Sequence, residues 1–142
     1  MTITSASVFV DTSGWASVIH RQDPFHSEAE RIYLAAFGSN RGLVTTDYVL
    51  SELTPLLGSH YKMARSTLLA AVDAILTDPH IAVQHTDSAT FDAAWLLLKQ
   101  RPDKEWSLVD GISFVVMQRL GLHEALTSDH HFEQAQYIRL LR

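Results

Sequence analysis

The chain has 142 residues, of which 46% are hydrophobic and 19% charged, and it contains no cysteine. A disordered chain is excluded because there is ample apolar material for a core. Disulfide scaffolds, thiolate zinc sites and thiol catalysis are excluded because each needs cysteine. The formal charge of -5 does not indicate a nucleic-acid binder, yet it does not exclude RNA or DNA, because a metal ion would neutralise clustered carboxylates locally.

The length of 142 residues fits one folding unit, so we expect a single domain over residues 1–142. The N-terminal segment has no basic region, and no apolar run approaches the ~18–20 residues that span a bilayer. The sequence therefore predicts a soluble, cytoplasmic protein that does not enter a membrane.

Short β-branched runs alternate with segments whose apolar residues recur at helical spacing. In chain order the expected elements are a strand over 7–10, helices over 13–21 and 27–37, a strand over 43–46, a helix capped by Asp47, a helix over 62–77, a strand over 80–84, a helix capped by Asp87 or Ser88, a helix over 107–120 ended by Gly121, a strand over 124–128, a short helix over 129–135 and a strand over 137–141. This alternation predicts an α/β fold, with a central, mostly parallel sheet of about five short strands between two helical layers.

Four acidic residues are expected to meet at one edge of this sheet. Asp11 and Asp129 each follow a predicted strand directly, and ligands of open α/β sheets bind beyond the carboxyl ends of the strands. Glu52 borders the apolar face of its helix, so we expect it to be partly buried. Asp110 lies in the first turn of a helix that is otherwise almost uncharged and that begins beside the same edge.

Four carboxylates placed close together repel one another, and a divalent cation removes that repulsion. Oxygen ligands without cysteine favour Mg²⁺ or Mn²⁺, and the chemistry associated with such a site is phosphodiester hydrolysis. His130 and His131 are the obvious pair for zinc, but adjacent residues on a helix point about 100° apart, so we do not expect this pair to hold an ion.

Taken singly, each acid also has a structural explanation. Asp11 can cap the helix that follows it, and Asp110 fits a capping box with Ser107. Asp129 can be an ordinary turn residue. Only the joint occurrence of the acids favours a functional site, and capping does not exclude metal ligation.

Four motifs in order along the chain carry a family resemblance: Val10-Asp11-Thr12-Ser13, Ser51-Glu52-Leu53, Ser107-Leu108-Val109-Asp110, and the run from Thr127 through Asp129 to Phe132. Together they resemble the PIN-domain nucleases, and among these the VapC-type toxins of bacterial toxin–antitoxin pairs. The resemblance extends over essentially the whole chain. It implies a PIN-like three-layer α/β/α sandwich, a Mg²⁺- or Mn²⁺-dependent endoribonuclease acting on RNA, a homodimer, and inhibition by a cognate antitoxin protein.

The resemblance also implies roles for individual residues. Asp11 and Asp110 would be direct metal ligands, and Asp129 would complete the site directly or through water. Glu52 would orient a metal-bound water or help to position the ion. The remaining matches are small hydroxyl residues that could hydrogen-bond the carboxylates or the substrate phosphate, namely Thr12, Ser13 and Ser107.

Several alternatives remain open from the sequence. Pro55 lies three residues after Glu52, where it would disturb a helix interior, so the placement of Glu52 depends on where that helix begins. Dispersed basic residues either guide an RNA backbone toward the acids or form ordinary solvated surface: Lys62, Arg65, Lys99, Arg101, Lys104 and Arg119. The chain could also be a PIN-like nuclease that acts in RNA processing or on DNA without an antitoxin, or a non-catalytic module that binds a protein.

Overall fold

The computed structural model describes residues 2–142. Five strands form one sheet in the order β3-β2-β1-β4-β5, and all four strand pairs are parallel. The strands are β1 (Val8–Val10), β2 (Leu43–Thr46), β3 (Ile81–Gln84), β4 (Glu124–Leu126) and β5 (Ile138–Arg139). The helices are α1 (Thr12–Ile19), α2 (His26–Gly38), α3 (Asp47–Pro55), α4 (Arg65–Thr77), α5 (Ser88–Gln100), α6 (Leu108–Leu120) and α7 (His131–Gln134). The prediction of a PIN-like α/β/α sandwich around a parallel sheet is confirmed.

Strand β1 lies at the centre of the sheet and of the core. Its residues Val8, Phe9 and Val10 have no exposed surface, because β2 and β4 flank the strand and helices cover both faces of a parallel sheet. Continuous burial explains why the strand is short and uniformly apolar. Asp11 follows it directly and is thereby placed at the carboxyl edge of the sheet.

The end of β4 differs from the prediction. The strand was expected to run to residue 128, but it ends at Leu126, whose carbonyl accepts from the backbone N–H of Asp11 at 3.2 Å. Thr127 and Ser128 therefore lie beyond the strand, at the same edge as Asp11. The other boundaries shift by at most two residues, except that α4 begins at Arg65 rather than at residue 62.

Helix α3 begins and ends in ways that the sequence only partly indicated. Asp47 was expected to cap it, but the cap is Thr46, whose side chain accepts a hydrogen bond from the N–H of Val49 at 3.1 Å. The carboxylate of Asp47 instead accepts from the hydroxyl of Thr86 at 2.6 Å. For α5 the sequence left two candidate caps, Asp87 and Ser88, and the structure shows that Asp87 is the cap.

Pro55 ends α3, and a π-helical turn over Leu56–His60 follows it. Proline has no N–H to donate to the carbonyl of Ser51, and the hydroxyl of Thr54 lies 3.4 Å from that oxygen instead. The N–H of Tyr61 then donates to the carbonyl of Leu56 at 3.2 Å, which is the wide spacing of a π turn. Pro55 therefore widens the helix after Glu52 without displacing Glu52 itself.

Two glycines have defined structural roles. Gly121 ends α6, as expected, in a left-handed conformation with φ of 68°. Gly14 lies in α1 where the helix meets β4, and a Cβ atom there would stand 2.0 Å from the carbonyl oxygen of Leu126. The absent side chain therefore allows the start of α1 to approach the end of β4. None of the helices within residues 2–142 is both long enough and apolar enough to cross a bilayer.

Candidate active site

A groove of about 320 Å³ opens at the carboxyl end of β1. It is lined by the start of α1, by α3 and its π turn, and by the loop after β4: Asp11, Thr12, Ser13, Glu52, Leu56, His60, Tyr61 and Asp129. Asp110 lies close by, since its charge acts on Asp11 and that of Asp129 acts on it. Within the described part of the chain, none of the six basic residues named above lines the groove.

Asp11 is fixed by both elements that it joins. Its carbonyl accepts from the N–H of Trp15 at 3.0 Å and so begins the hydrogen bonding of α1. It occupies the N-cap position of that helix, yet its side chain makes no capping hydrogen bond. Its Oδ2 accepts instead from the hydroxyl of Thr127 at 3.0 Å. Helix capping therefore does not explain this buried carboxylate.

The pKa of Asp11 is raised from 3.8 to about 7. Loss of hydration on burial is the largest cause, and repulsion from Asp110 and Asp129 adds to it. Hydrogen bonds from the backbone of Thr12 and from the side chain of Thr127 act in the opposite direction. The carboxylate is thus held where its charge is unfavourable unless a cation lies nearby.

Asp110 combines the two interpretations that the sequence left open. It closes a capping box at the start of α6, because the N–H of Ser107 donates to its Oδ2 and its own N–H donates to Oγ of Ser107, both at 3.0 Å. The Nδ1 atom of His131 lies 3.0 Å from the same Oδ2. Burial raises the pKa of Asp110, and so does the charge of Asp129, while the contacts with Ser107 and His131 lower it.

Asp129 lies in the loop before α7. Its Oδ1 accepts from the backbone N–H of His131 at 2.9 Å, so it is also a turn residue. The Nδ1 atoms of His130 and His131 lie 3.7 and 3.4 Å from that Oδ1. The side chains of adjacent residues inside a helix point apart, but here His130 precedes α7, so that rule does not apply to the pair. Asp129, His130 and His131 can each offer one ligand atom within 4.8 Å of the others.

Glu52 reaches the groove from α3, but its side chain is exposed. The expectation of partial burial is wrong because the buried face of α3 is narrow and contains Val49, Leu50 and Leu53. The hydroxyl of Thr12 donates to Oε1 of Glu52 at 2.6 Å. This hydrogen bond fixes an otherwise mobile carboxylate beside Asp11, the residue that precedes Thr12.

The hydroxyl of Thr127 connects the acids to the backbone. It donates to Asp11 and accepts from the N–H of Asp129 at 3.0 Å. It also lies 3.0 Å from Oγ of Ser13, which accepts from the N–H of Ser128 at 3.0 Å. The starts of α1 and of the loop after β4 are therefore joined by three hydroxyl contacts directly beneath the carboxylates.

Sequence reasoning missed the contacts of Thr127 and His131, and it also missed three residues that line the groove: Leu56, His60 and Tyr61. Thr127 was placed inside the predicted strand over 124–128, so its contacts at the sheet edge were not expected. A hydroxyl residue two positions before Asp129 was nevertheless a usable signal. The sequence did not indicate that the side chain of His131, which is 20% exposed, contacts Asp110. That contact joins residues that are 21 positions apart, so local spacing could not indicate it.

The carboxylate oxygens of Asp11, Asp110 and Asp129 are suitable ligands for a hard divalent cation. Both contacts of Asp110 fall on Oδ2 and those of Asp129 fall on Oδ1. Among residues 2–142, therefore, one oxygen of each carboxylate has no hydrogen-bond partner. Asp11 adds a desolvated carboxylate. Carboxylate oxygens of this kind are the ligands of Mg²⁺ and Mn²⁺, with water completing the shell.

No family model matches the chain. The 23S rRNA-specific endonuclease VapC20 of Mycobacterium tuberculosis, from two strains, is 29% identical over 133 residues, which are 94% of this chain and 97% of that protein. The crystal structure of Mycobacterium tuberculosis VapC20, described as a toxin that cleaves the sarcin–ricin loop, matches with a TM-score of 0.84 at 28% identity. That match covers 95% of this chain and 99% of the other.

These comparisons agree with the fold of the chain. The resemblance to VapC-type PIN-domain proteins that the acidic motifs predict is therefore confirmed, over nearly the whole sequence and in the three-dimensional fold.

Proposed function

We propose that the protein is a divalent-metal-dependent endoribonuclease and the toxin component of a VapBC-type toxin–antitoxin pair. The proposal rests on one observation: Asp11, Asp110 and Asp129 lie at one sheet edge, where the negative charges of their carboxylates repel one another. The similarity to VapC20, a 23S rRNA-specific endonuclease, supports RNA as the substrate.

The metal dependence is supported by the charge of the groove. Asp11, Glu52 and Asp129 line it, and no lysine or arginine does so within the described residues. An RNA phosphate would be repelled from such a groove unless a cation were present. Bound Mg²⁺ or Mn²⁺ would supply that charge, polarise the phosphate and favour ionisation of the attacking water.

We assign the residues as follows. Asp11 and Asp110 hold the ion through their carboxylates, and Asp129 completes its shell directly or through water. Glu52, oriented by Thr12 at 2.6 Å, positions the attacking water. The hydroxyl of Thr127, which contacts Ser13, donates to the carboxylate of Asp11 and keeps it in place. The backbone N–H of Ser107 does the same for the carboxylate of Asp110.

We propose a structured loop of ribosomal RNA as the substrate, in the cytoplasm. VapC20 is named for 23S rRNA and described as cleaving the sarcin–ricin loop, and the match extends over nearly the full length of both chains. A single domain over residues 1–142 would carry this activity. Within it, the described residues build one sheet with one connected core.

Two protein partners belong to the proposal. The first is a cognate antitoxin that blocks the acidic groove. The second is another copy of this chain, supported by large apolar side chains that are exposed on α4 and α5: Leu69, Leu76, Trp95 and Leu96. Light scattering on the purified protein, with and without an antitoxin, measures both assemblies.

The test uses the purified protein, freed of any partner, with intact ribosomes and with total RNA. Reactions contain Mg²⁺, Mn²⁺ or EDTA, and the new RNA ends are sequenced. Asp110→Asn is the matched variant because it keeps the size of the side chain and removes its charge. We expect discrete cuts in ribosomal RNA that need both the metal ion and Asp110.

Cutting that persists in EDTA or in Asp110→Asn would contradict the assigned metal site. Cuts only in DNA, or in RNA other than ribosomal RNA, would keep the nuclease and replace the substrate. If a folded protein cuts no nucleic acid with either metal, the chain is a binding module instead.

A further inference from the structure

We propose that His60 and Tyr61 form an aromatic wall that binds an unpaired base of the RNA, next to the phosphate that is cut. This aromatic wall lines the same groove as Asp11, Glu52 and Asp129. The inference rests on the proposed endoribonuclease function and names the part of the substrate that the groove selects, namely a base that is unstacked in a loop.

The backbone after Pro55 puts the aromatic wall in place. The π-helical turn over Leu56–His60 brings His60 and Tyr61 to the groove. Lys62 then adopts a left-handed conformation with φ of 58°, and the backbone N–H of Met63 bonds back to the carbonyl of Leu57 at 3.0 Å. Such a widened turn followed by a strained residue is uncommon in helices and is often found at functional sites.

The ring of Tyr61 is held before any ligand arrives. Its hydroxyl donates to Oδ2 of Asp23 at 2.7 Å. Asp23 is held in turn by the hydroxyl of Ser17 and the N–H of Phe25, each at 2.9 Å from Oδ1. The ring of His20 packs against Tyr61 with centroids 4.5 Å apart. A ring that is fixed from its far end loses little conformational freedom when a base packs on it.

The exposed ring of His60 completes the wall. It stands at 85° to Tyr61, with centroids 4.8 Å apart, so the pair forms a corner rather than one flat surface. Leu56 adds an apolar contact in the same groove. A corner of two rings and an aliphatic side chain suits one planar base, packed on one ring and bounded by the other.

The chemistry of the groove favours RNA over a protein segment here. A phosphate must enter among the acids for the proposed reaction, and the flanking nucleotide must then lie within the same groove of about 320 Å³. Among the described residues that line the groove there is no lysine or arginine to bind the RNA backbone. Stacking on aromatic side chains is therefore the attraction left for that nucleotide, and it accepts every base type.

The test separates binding from cutting. The probe is an RNA hairpin with the sarcin–ricin loop sequence and 2-aminopurine at one loop position at a time, whose fluorescence falls on stacking. Binding is measured in the Asp110→Asn background, which prevents cutting, and cleavage rates are measured with Mn²⁺ in the otherwise native chain. The variants are His60→Ala, Tyr61→Phe and Tyr61→Leu, and His123→Ala is the control because His123 is an exposed histidine outside the groove lining.

We expect one loop position to be quenched by the protein. His60→Ala and Tyr61→Leu should weaken hairpin binding and raise KM by roughly 5- to 100-fold, with kcat changed much less. Tyr61→Phe keeps the ring but loses the hydrogen bond to Asp23, so it should bind more weakly than the parent and better than Tyr61→Leu. His123→Ala should bind as the parent does. Since His60 is exposed, His60→Ala tests the wall even if Tyr61→Leu does not fold.

Other results overturn one proposal or the other. Unchanged binding in His60→Ala and Tyr61→Leu, without quenching at any position, removes the aromatic wall, as does an equal loss in His123→Ala. Quenched binding without cutting in any metal removes the nuclease and keeps the wall. Absence of RNA binding removes both. Variants that keep RNA binding but release a co-purifying protein would assign these rings to a protein interface.

Discussion

The hydrogen bonds of the carboxylates decide what each acid at the sheet edge can do. Asp110 uses one oxygen for Ser107 and His131, and Asp129 uses one for the backbone of α7. Asp11 is fixed by Thr127. Each acid is therefore oriented by the protein before an ion binds, as expected for ligands with supporting partners.

Asp11→Asn should change how the stability of the metal-free protein depends on pH. The pKa in the folded state, about 7, lies above the ordinary value of 3.8, so between these values the folded protein binds more protons than the unfolded chain. The free energy of unfolding therefore falls as pH rises through that window. Asparagine removes this loss, which is on the order of 4 kcal/mol at most for such a shift.

Urea unfolding in EDTA at pH 5 and pH 8 measures the effect. The variant should be the more stable protein at pH 8, and its advantage should shrink at pH 5. Because the pKa of Asp110 is raised as well, some pH dependence should remain. Parallel pH profiles for the two proteins would contradict the burial of a charged Asp11.

His131→Phe should weaken metal binding although His131 is not assigned as a ligand. The ring would keep its packing but lose the Nδ1 contact with Asp110 at 3.0 Å, and loss of such a supporting contact costs about 10- to 100-fold in metal affinity. His131→Asn should retain part of the affinity, since its amide can donate in place of Nδ1.

Titration of Mn²⁺ followed by electron paramagnetic resonance gives the dissociation constants. The exposed His123 provides the control His123→Phe, and an equal loss there would refute the role of His131.

At the scale of elements, the site depends on how closely α1 approaches β4. A Cβ atom added at Gly14 would stand 2.0 Å from the backbone oxygen of Leu126, so this position has no room for a methyl group. A backbone atom cannot move aside as a flexible side chain can. The contact therefore fixes the distance between Asp11 at the start of α1 and Thr127 after β4.

Gly14→Ala should destabilise the fold by about 1–3 kcal/mol or more, as overpacking does, and should reduce cleavage beyond the loss of folded protein. Gly38→Ala is the matched control, because nothing lies within 4 Å of a Cβ atom there. Urea midpoints and cleavage by the folded fraction are compared for the two variants. Equal stability of both would show that α1 can shift away from β4 at little cost.

The kinds of element were predictable because local chemistry determines them. Asp87 and the capping box of Ser107 with Asp110 mark the starts of α5 and α6, and Gly121 marks an end. The end of β4 was not predictable, since Thr127 follows the strand directly and its hydrogen bond is with Asp11, which is distant in sequence. The side of the helix on which Glu52 lies was clear, but its exposure depends on what α3 packs against.

At the scale of the whole molecule, metal binding should stabilise the fold. A ligand at 100 times its dissociation constant adds about 2.7 kcal/mol, and here it would also relieve the repulsion among Asp11, Asp110 and Asp129. The melting temperature should therefore rise with added Mn²⁺. Asp110→Asn should melt higher than the parent in EDTA and gain little from Mn²⁺. A parent protein whose melting temperature is the same in Mn²⁺ and in EDTA would count against the metal site.

The strand order also has a consequence for the timing of protein synthesis. β1 is made early, yet its partner β4 and the adjoining Thr127 and Asp129 emerge only after α6 has been made. Because a domain folds as a unit, Asp11 has no Asp129 beside it until nearly the whole chain has been made. Under the proposed activity toward ribosomal RNA, a chain that is still being made would therefore lack the complete acid site.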